Sequence, residues 1–366
     1  MDDHMKAIKK YCKHLFIDGF SGMASGLFAT LIVGTILEQV AKLIADIGPD
    51  WCVSIGGWLG LIAGVAKLAM GAGIGVGVAK KFNESPLVTV SAAVAGMVGA
   101  EAAQLLSGEA FAGAIATLKV PGEPLGAFIA AFVAIELGHL VSGKTKVDIL
   151  VTPIVSIISG SAVGLLIGPS VSAFMKAIGD VVCLFTEEQP FLMGVVVSVV
   201  MGMVLTLPIS SAALGIMLNL GGITAGAAAV GCCAQMMGFA VSSYRENKMG
   251  GLIAQGLGTS MLQVPNIFKK PVIWLPPTLA AAVLGPVSTC WLKMTNNAVG
   301  SGMGTSGLVG PIMGYQTQTA GGMSPLMSLL QIAVMYFIAP AALSLLFSEL
   351  LRKLGWIKAG DMKLDL

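Results

Sequence analysis

From Gln189 to Tyr244, and again from Met294 to Ser348, the sequence carries no Asp, Glu, Lys or Arg. Runs of that length without charge cannot be wrapped around a water-soluble core, but a bilayer accepts them. Soluble domains carry about 25% charged residues. This chain of 366 residues carries 11%, with 55% hydrophobic residues and a mean hydropathy of +0.87. It reads as an all-α polytopic membrane protein. At about 20 residues per crossing, the length allows about ten transmembrane segments and no sizeable soluble domain. The net charge of +2 is too small, and the basic residues too scattered, for nucleic-acid binding.

The lysines and arginines punctuate the apolar runs. Residues 1–19 place Met5, Ile8, Cys12, Leu15 and Phe16 at helical spacing among lysines, the pattern of an amphipathic helix on the cytoplasmic surface. The apolar run that follows exceeds the h-region of a cleavable signal peptide. Spans are expected at about 20–44, 53–79, 86–107, 125–141 and 148–168, with a short apolar piece at 110–118. Pro169 should stop the last of these, leaving 170–186 as an amphipathic stretch too polar to span. Further spans are expected at about 191–208, 221–243 and 326–348, with broken segments at 250–264 and 272–290, interrupted by Pro265 and by Pro276–Pro277. Lys80, Lys81, Lys144, Lys146 and the basic tail 349–366 mark cytoplasmic loops and place both termini in the cytoplasm. In the second expected span, Gly60–Gly64 and Gly71–Gly75 have the spacing that lets helices approach closely.

Interruptions concentrate after residue 205, and interrupted helices point to a transporter's binding site. Residues 20–186 therefore read mainly as scaffold and dimerisation segments, and 187–348 mainly as substrate-binding segments. The strongest interruption is Thr295–Thr319, TNNAVGSGMGTSGLVGPIMGYQTQT, with six glycines and no charge. It is too glycine-rich for a spanning helix and too apolar for a solvent loop. Non-helical backbone at membrane depth is tolerated where it is buried in protein or lines a cavity, so this is a re-entrant, substrate-lining loop. Asn296, Asn297, Thr305 and Ser306 offer uncharged donors and acceptors, Gly302 and Gly304 bring backbone amides close to a ligand, and Gln263 adds a second wall. The competing reading is that these groups satisfy broken helix ends.

Ionisable residues inside spans are costly and usually face the bundle interior. Glu38, Lys67, Glu101, Glu136 and His139 are the candidates. Glu101 either binds a solute hydroxyl or a proton, or pairs with Lys67. Glu136 and His139 share a helical face and read as a structural hydrogen-bonded pair near a cytoplasmic helix end, with a proton-linked or substrate role as the alternative; without a second such pair they make no metal site. The six cysteines lack CxxC spacing and read as small apolar packers. No Walker loop, nucleophile elbow or H-E-x-x-H is present, so no catalytic residue, cofactor or metal is assigned.

Two stretches resemble a known family. VDILVTPIVSIISGSAVGLLIGPSVSAFMKAIGD (147–180) resembles the fructose-type enzyme IIC of the bacterial phosphoenolpyruvate-dependent phosphotransferase system. NNAVGSGMGTSGLVGPI (296–312) is similar to the glycine-rich signature of stand-alone enzyme IIC-like proteins. The resemblance implies a homodimeric permease in the cell membrane that takes up a sugar or sugar alcohol, with phosphorylation by separate IIA and IIB proteins. It also implies a glutamate facing the sugar, but the matching stretch reads SMLQVP (260–265) with Met261 at that position. Methionine cannot accept hydrogen bonds as a carboxylate does. A carrier of a non-sugar solute without phosphorylation, and a membrane sensor whose basic termini contact a soluble protein or anionic lipid, remain as alternatives.

Overall fold

A computed structural model of the chain describes residues 11, 13–108, 122–186 and 189–364. The expected surface helix over 1–19 falls largely outside these residues, and the piece at 110–118 wholly so. Among the described residues there is no strand, and seven helices are long and apolar enough to cross a membrane. Two further apolar helices, Pro86–Ala100 and Pro190–Thr206, are shorter. The protein is a multi-pass, all-α membrane protein, and its contacts divide it after Phe174 into two compact units.

The first unit contains α1 (His14–Ala45), α2 (Asp50–Leu68), α3 (Met70–Lys81), α4 (Pro86–Ala100), α5 (Ala102–Ser107), α6 (Pro124–Val141) and the start of α7 (Asp148–Thr186). Lipid tails are as apolar as leucine, so helices associate here by close packing of small residues. A Cβ on Gly26 of α1 would lie 2.0 Å from the Gly73 carbonyl oxygen of α3. The α3–α4 pair meets in the same way at Gly71–Gly96 and Gly75–Ala92, and α4–α6 at Gly99–Gly126. The expected span 53–79 is therefore two helices, α2 and α3, joined at Ala69 (ψ 7°). Their glycines behave differently: Gly71 and Gly75 are packed against backbone, whereas a Cβ at Gly60 or Gly64 would meet no atom within 4 Å among the described residues. The span expected at 86–107 is likewise split, at Glu101.

Pro169 does not stop its helix. It lies inside α7, as does Pro153, so the expected end at 168 and the separate stretch 170–186 are replaced by one continuous helix. Pro276 and Pro277 do not interrupt theirs either. A 3-10 turn over Pro271–Trp274 leads into the α-helical stretch Leu275–Pro286, and the two prolines occupy the first turn of that stretch, where a missing N–H costs nothing because that position has no intrahelical acceptor.

The second unit packs α8 (Pro190–Thr206), α13 (Pro271–Leu292) and α16 (Pro325–Lys353) against α10 (Gly222–Ser242). Helix α10 is built of Ala, Gly and Cys with few large side chains, and Ala225 through Gln235 are all buried. A helix apolar all round is a buried one. The remaining pieces are α9 (Ser211–Met217), α11 (Tyr244–Ile253), α12 (Val264–Lys269), α14 (Ala298–Ser301) and α15 (Val309–Ala320). Beyond α16, residues 354–364 fold back: Ile357 and Met362 join Phe239, Ile267, Ile273 and Leu351 in one apolar cluster.

Candidate functional site

Two interruptions organise the second unit. The first follows α11: a π turn over Ala254–Gly258, then Thr259 in extended conformation (φ −158°, ψ 140°), a 3-10 turn over Ser260–Gln263, and α12. Pro265 sits in the first turn of α12, so the break lies at Thr259 rather than at the proline. The Thr259 hydroxyl caps the new turn by accepting from the Met261 N–H at 3.1 Å. The second interruption begins where Asn296 pairs with Gly222 as a lone antiparallel bridge. Asn297 then caps α14, its Oδ1 accepting from the Gly300 N–H at 2.9 Å. After α14 the chain needs left-handed backbone at Gly304 (φ 52°), Gly307 (φ 53°) and Leu308 (φ 60°) before α15 can begin.

These two breaks meet. The Thr305 hydroxyl donates to the Gly256 carbonyl at 2.5 Å and lies 3.5 Å from Met236 Sδ of α10. Around the contact, Ser211 Oγ donates to the Gly302 carbonyl at 2.6 Å, and Cys232 Sγ lies 3.6 Å from the Ser301 carbonyl. The loop is thus wrapped on the middle of α10.

The expected site residues divide by how much of their bonding capacity is already used. Asn296 is buried: its Nδ2 donates to the Gly310 carbonyl (3.1 Å) and to the Tyr336 hydroxyl (3.2 Å), while Oδ1 accepts from the Asn297 N–H (2.9 Å). Thr305 is spent on Gly256. Gly302 and Gly304 are packing positions, where a Cβ would meet Ser211 and Cys232 respectively. Ser306 differs: it is buried, and its hydroxyl has no partner among the described residues. Asn297 is half-buried, with Nδ2 3.3 Å from Met313 Sδ. Gln263 is not with the loop. It bonds Gln255, Asn266 and the Met362 carbonyl.

Glu101 belongs to the first unit and so is described apart from this loop. It is buried at the α4–α5 break, and its Oε2 has no hydrogen-bond partner among the described residues. Lys67 does not neutralise it, because Lys67 Nζ pairs with Glu38 at 2.8 Å. Glu136 and His139 do not pair with each other. Glu136 meets His14 Nε2 at 3.1 Å, and His139 Nδ1 meets Glu84 at 3.1 Å.

One cluster is absent from the sequence reading. Gln235, fully buried on α10, accepts from Trp274 Nε1 (3.0 Å) and Thr206 Oγ1 (3.3 Å) and donates to Thr278 Oγ1 (3.0 Å), while Thr206 also meets Ser260 Oγ at 2.8 Å. It ties α8, α10, α13 and the 3-10 turn together. The signal was present: Gln235 is the one amide side chain in an Ala/Gly/Cys helix. Loop and cluster together offer uncharged hydroxyl, amide and carbonyl groups. Groups of this kind are able to hydrogen-bond a hydroxylated solute.

No curated protein matches the sequence. The family model described as Phosphotransferase system, EIIC matches residues 17–364, from the first turn of α1 to the folded-back C-terminal segment. A match that takes in both units and both breaks makes this chain a member of the phosphotransferase system EIIC family.

Proposed function

We propose that this EIIC protein carries a sugar or sugar alcohol across the cytoplasmic membrane, binding it at the paired breaks of the second unit. Family membership makes the chain a phosphotransferase-system permease component that works with separate IIA and IIB components. The choice of a polyol rests on one observation: the two breaks joined by Thr305 and Gly256 carry only neutral donors and acceptors. Ser306 and Asn297 are the ligand contacts in this reading. Asn296, Gly302, Gly304 and Thr305 hold the loop in shape, Gln263 braces the 3-10 turn, and Glu101 is a separate solute or proton candidate within the first unit. Discontinuous helices of this kind serve alternating access. Any phosphoryl transfer belongs to the IIB partner, since the loop has no group to perform it.

The first unit would carry dimerisation. Helix α2 turns Gly57, Gly60 and Gly64 towards open space beside exposed Trp58, Leu61 and Val65. A second copy laid on that face would make a close glycine-backed crossing. The basic loops and tail support a reading with both termini on the cytoplasmic side.

Met261 favours a second reading, a non-sugar solute moved without phosphorylation, because it stands buried where the fructose-type resemblance expects a carboxylate. A thermal-shift panel of hexoses, hexitols, organic anions and nucleobases separates the two. A true ligand at a hundredfold excess over Kd stabilises by about 2.7 kcal/mol. A shift with a hexose or hexitol that disappears in Asn297→Ala supports the permease. A shift with a non-carbohydrate alone replaces the sugar, and silence throughout moves weight to a sensor.

A further inference from the structure

The C-terminal segment is stitched to the first break. The chain turns at Gly355 (φ 74°) and runs back with Ile357, Met362 and Leu364 buried, while Lys358 and Lys363 face outward. Its main chain is gripped by side chains that flank Thr259 on both sides. The Met362 carbonyl accepts from Asn247 Nδ2 (2.8 Å) and Gln263 Nε2 (3.0 Å), and the Lys363 carbonyl accepts from Asn266 Nδ2 (2.8 Å). The Leu364 N–H donates to Asn247 Oδ1 at 2.8 Å. An ion pair between Asp361 and Lys270 at 2.9 Å closes the outer edge.

The grip continues inward as a relay of amides. Asn266 Nδ2 donates to Gln263 Oε1 (2.9 Å), Gln263 Nε2 donates to Gln255 Oε1 (2.9 Å), and Gln255 Nε2 donates to Ser243 Oγ (2.8 Å). Gln255 lies in the π turn whose next residue, Gly256, accepts from Thr305. An unbroken line of hydrogen bonds and adjacent backbone therefore joins the C-terminal segment to the glycine-rich loop. Every amide in it is buried, so loss of one partner leaves a buried donor or acceptor unsatisfied, and such networks act as a unit.

We propose that residues 354–364 form a latch on the broken helix 244–269: while it is engaged, the turn at Thr259 and the Gly256–Thr305 contact are held in one conformation, and the turn moves when the latch lifts. Lifting is feasible because the segment lies at the unit's surface, with exposed lysines at 358 and 363, and water replaces its lost hydrogen bonds. The latch stands on contacts alone; its bearing on transport rests on the solute site proposed above.

Hydrogen exchange on the full-length protein in detergent tests it without any ligand. In Asn247→Ala/Asn266→Ala, backbone amides of 256–263 should exchange at least about tenfold faster, with those of 228–238 in α10 unchanged, as expected for local opening. Unchanged rates at 256–263, or an equal rise throughout α10, would overturn the latch. Should that variant fail to fold, Asn266→Cys/Lys363→Cys tests the opposite direction. Oxidation should slow exchange at 256–263 and reductant should restore it, whereas equal rates in the bridged and reduced forms would also sink the proposal. Neither result depends on the solute panel, so the latch and the transport reading fail separately.

Discussion

Thr305 and Ser306 are neighbours with opposite bookkeeping. The Thr305 hydroxyl is committed to Gly256, so Thr305→Ala leaves a buried carbonyl bare at a cost of about 1–3 kcal/mol, while Thr305→Ser keeps the bond. A lowered melting temperature in the alanine variant, with the serine variant close to wild type, is the expected outcome. Among the described residues the buried Ser306 hydroxyl has no partner, so Ser306→Ala should leave the ligand-free melting temperature unchanged or slightly higher and reduce the shift given by a hexitol. A destabilised Ser306→Ala protein with an intact ligand shift would remove Ser306 from the site. At this scale the sequence was informative about residue type and less so about role. The polar loop residues stand out by composition, but only contacts tell Asn296, saturated by Gly310, Tyr336 and Asn297, from Ser306, whose hydroxyl has no partner among the described residues. Asp361 adds a titration. Partial burial alone would raise its carboxyl, but the Lys358 N–H and the Lys270 ammonium outweigh that and hold it below the usual carboxylate range. A carboxyl that titrates lower when folded stabilises at neutral pH and loses that contribution as pH falls through its depressed value. The melting-temperature gap between wild type and Asp361→Asn should therefore be present at neutral pH, start to narrow below about pH 4 and close as pH falls through the depressed folded value.

Among elements, the prolines mark where sequence reading succeeds and where it stops. A proline forbids a hydrogen bond only where one would otherwise form. Pro265, Pro276 and Pro277 fall in first turns and begin helices, while Pro153 and Pro169 are carried inside α7. Breaks that no proline announces lie at Ala69, Glu101, Lys248 and Thr259. Glycine spacing was legible as a packing signal but not as to partner, since Gly71 and Gly75 meet α4, whereas a Cβ at Gly60 or Gly64 would meet nothing within 4 Å among the described residues. That difference gives a dimerisation test. Gly60→Leu or Gly64→Leu should shift the detergent-solubilised protein towards monomer, read by cross-linking, with little change in melting temperature. Gly56→Leu is the contrast: its Cβ would sit 2.7 Å from the Ala41 carbonyl oxygen, so the fold itself should suffer.

At the level of the whole molecule, the fold class comes through clearly, because charge-free runs dictate a membrane solution. The expected boundary after residue 186 and the observed one after Phe174 both fall in α7. What could not be read was the folding-back of 354–364, since its anchors lie about a hundred residues upstream and are ordinary amides. The backbone-to-backbone packing of α10 carries a further consequence for how mutations would be interpreted. A methyl group added at Gly231 would lie 1.9 Å from the Ser198 carbonyl oxygen, and one at Gly226 would lie 2.0 Å from that of Met294. Overpacking of this kind costs about 1–3 kcal/mol or more, so Gly231→Ala should be poorly expressed. A growth-based mutational scan would then rank silent architectural glycines beside, or above, the side chains that hold the solute. Intolerance would map the closeness of helices, and ligand affinity alone would map the site.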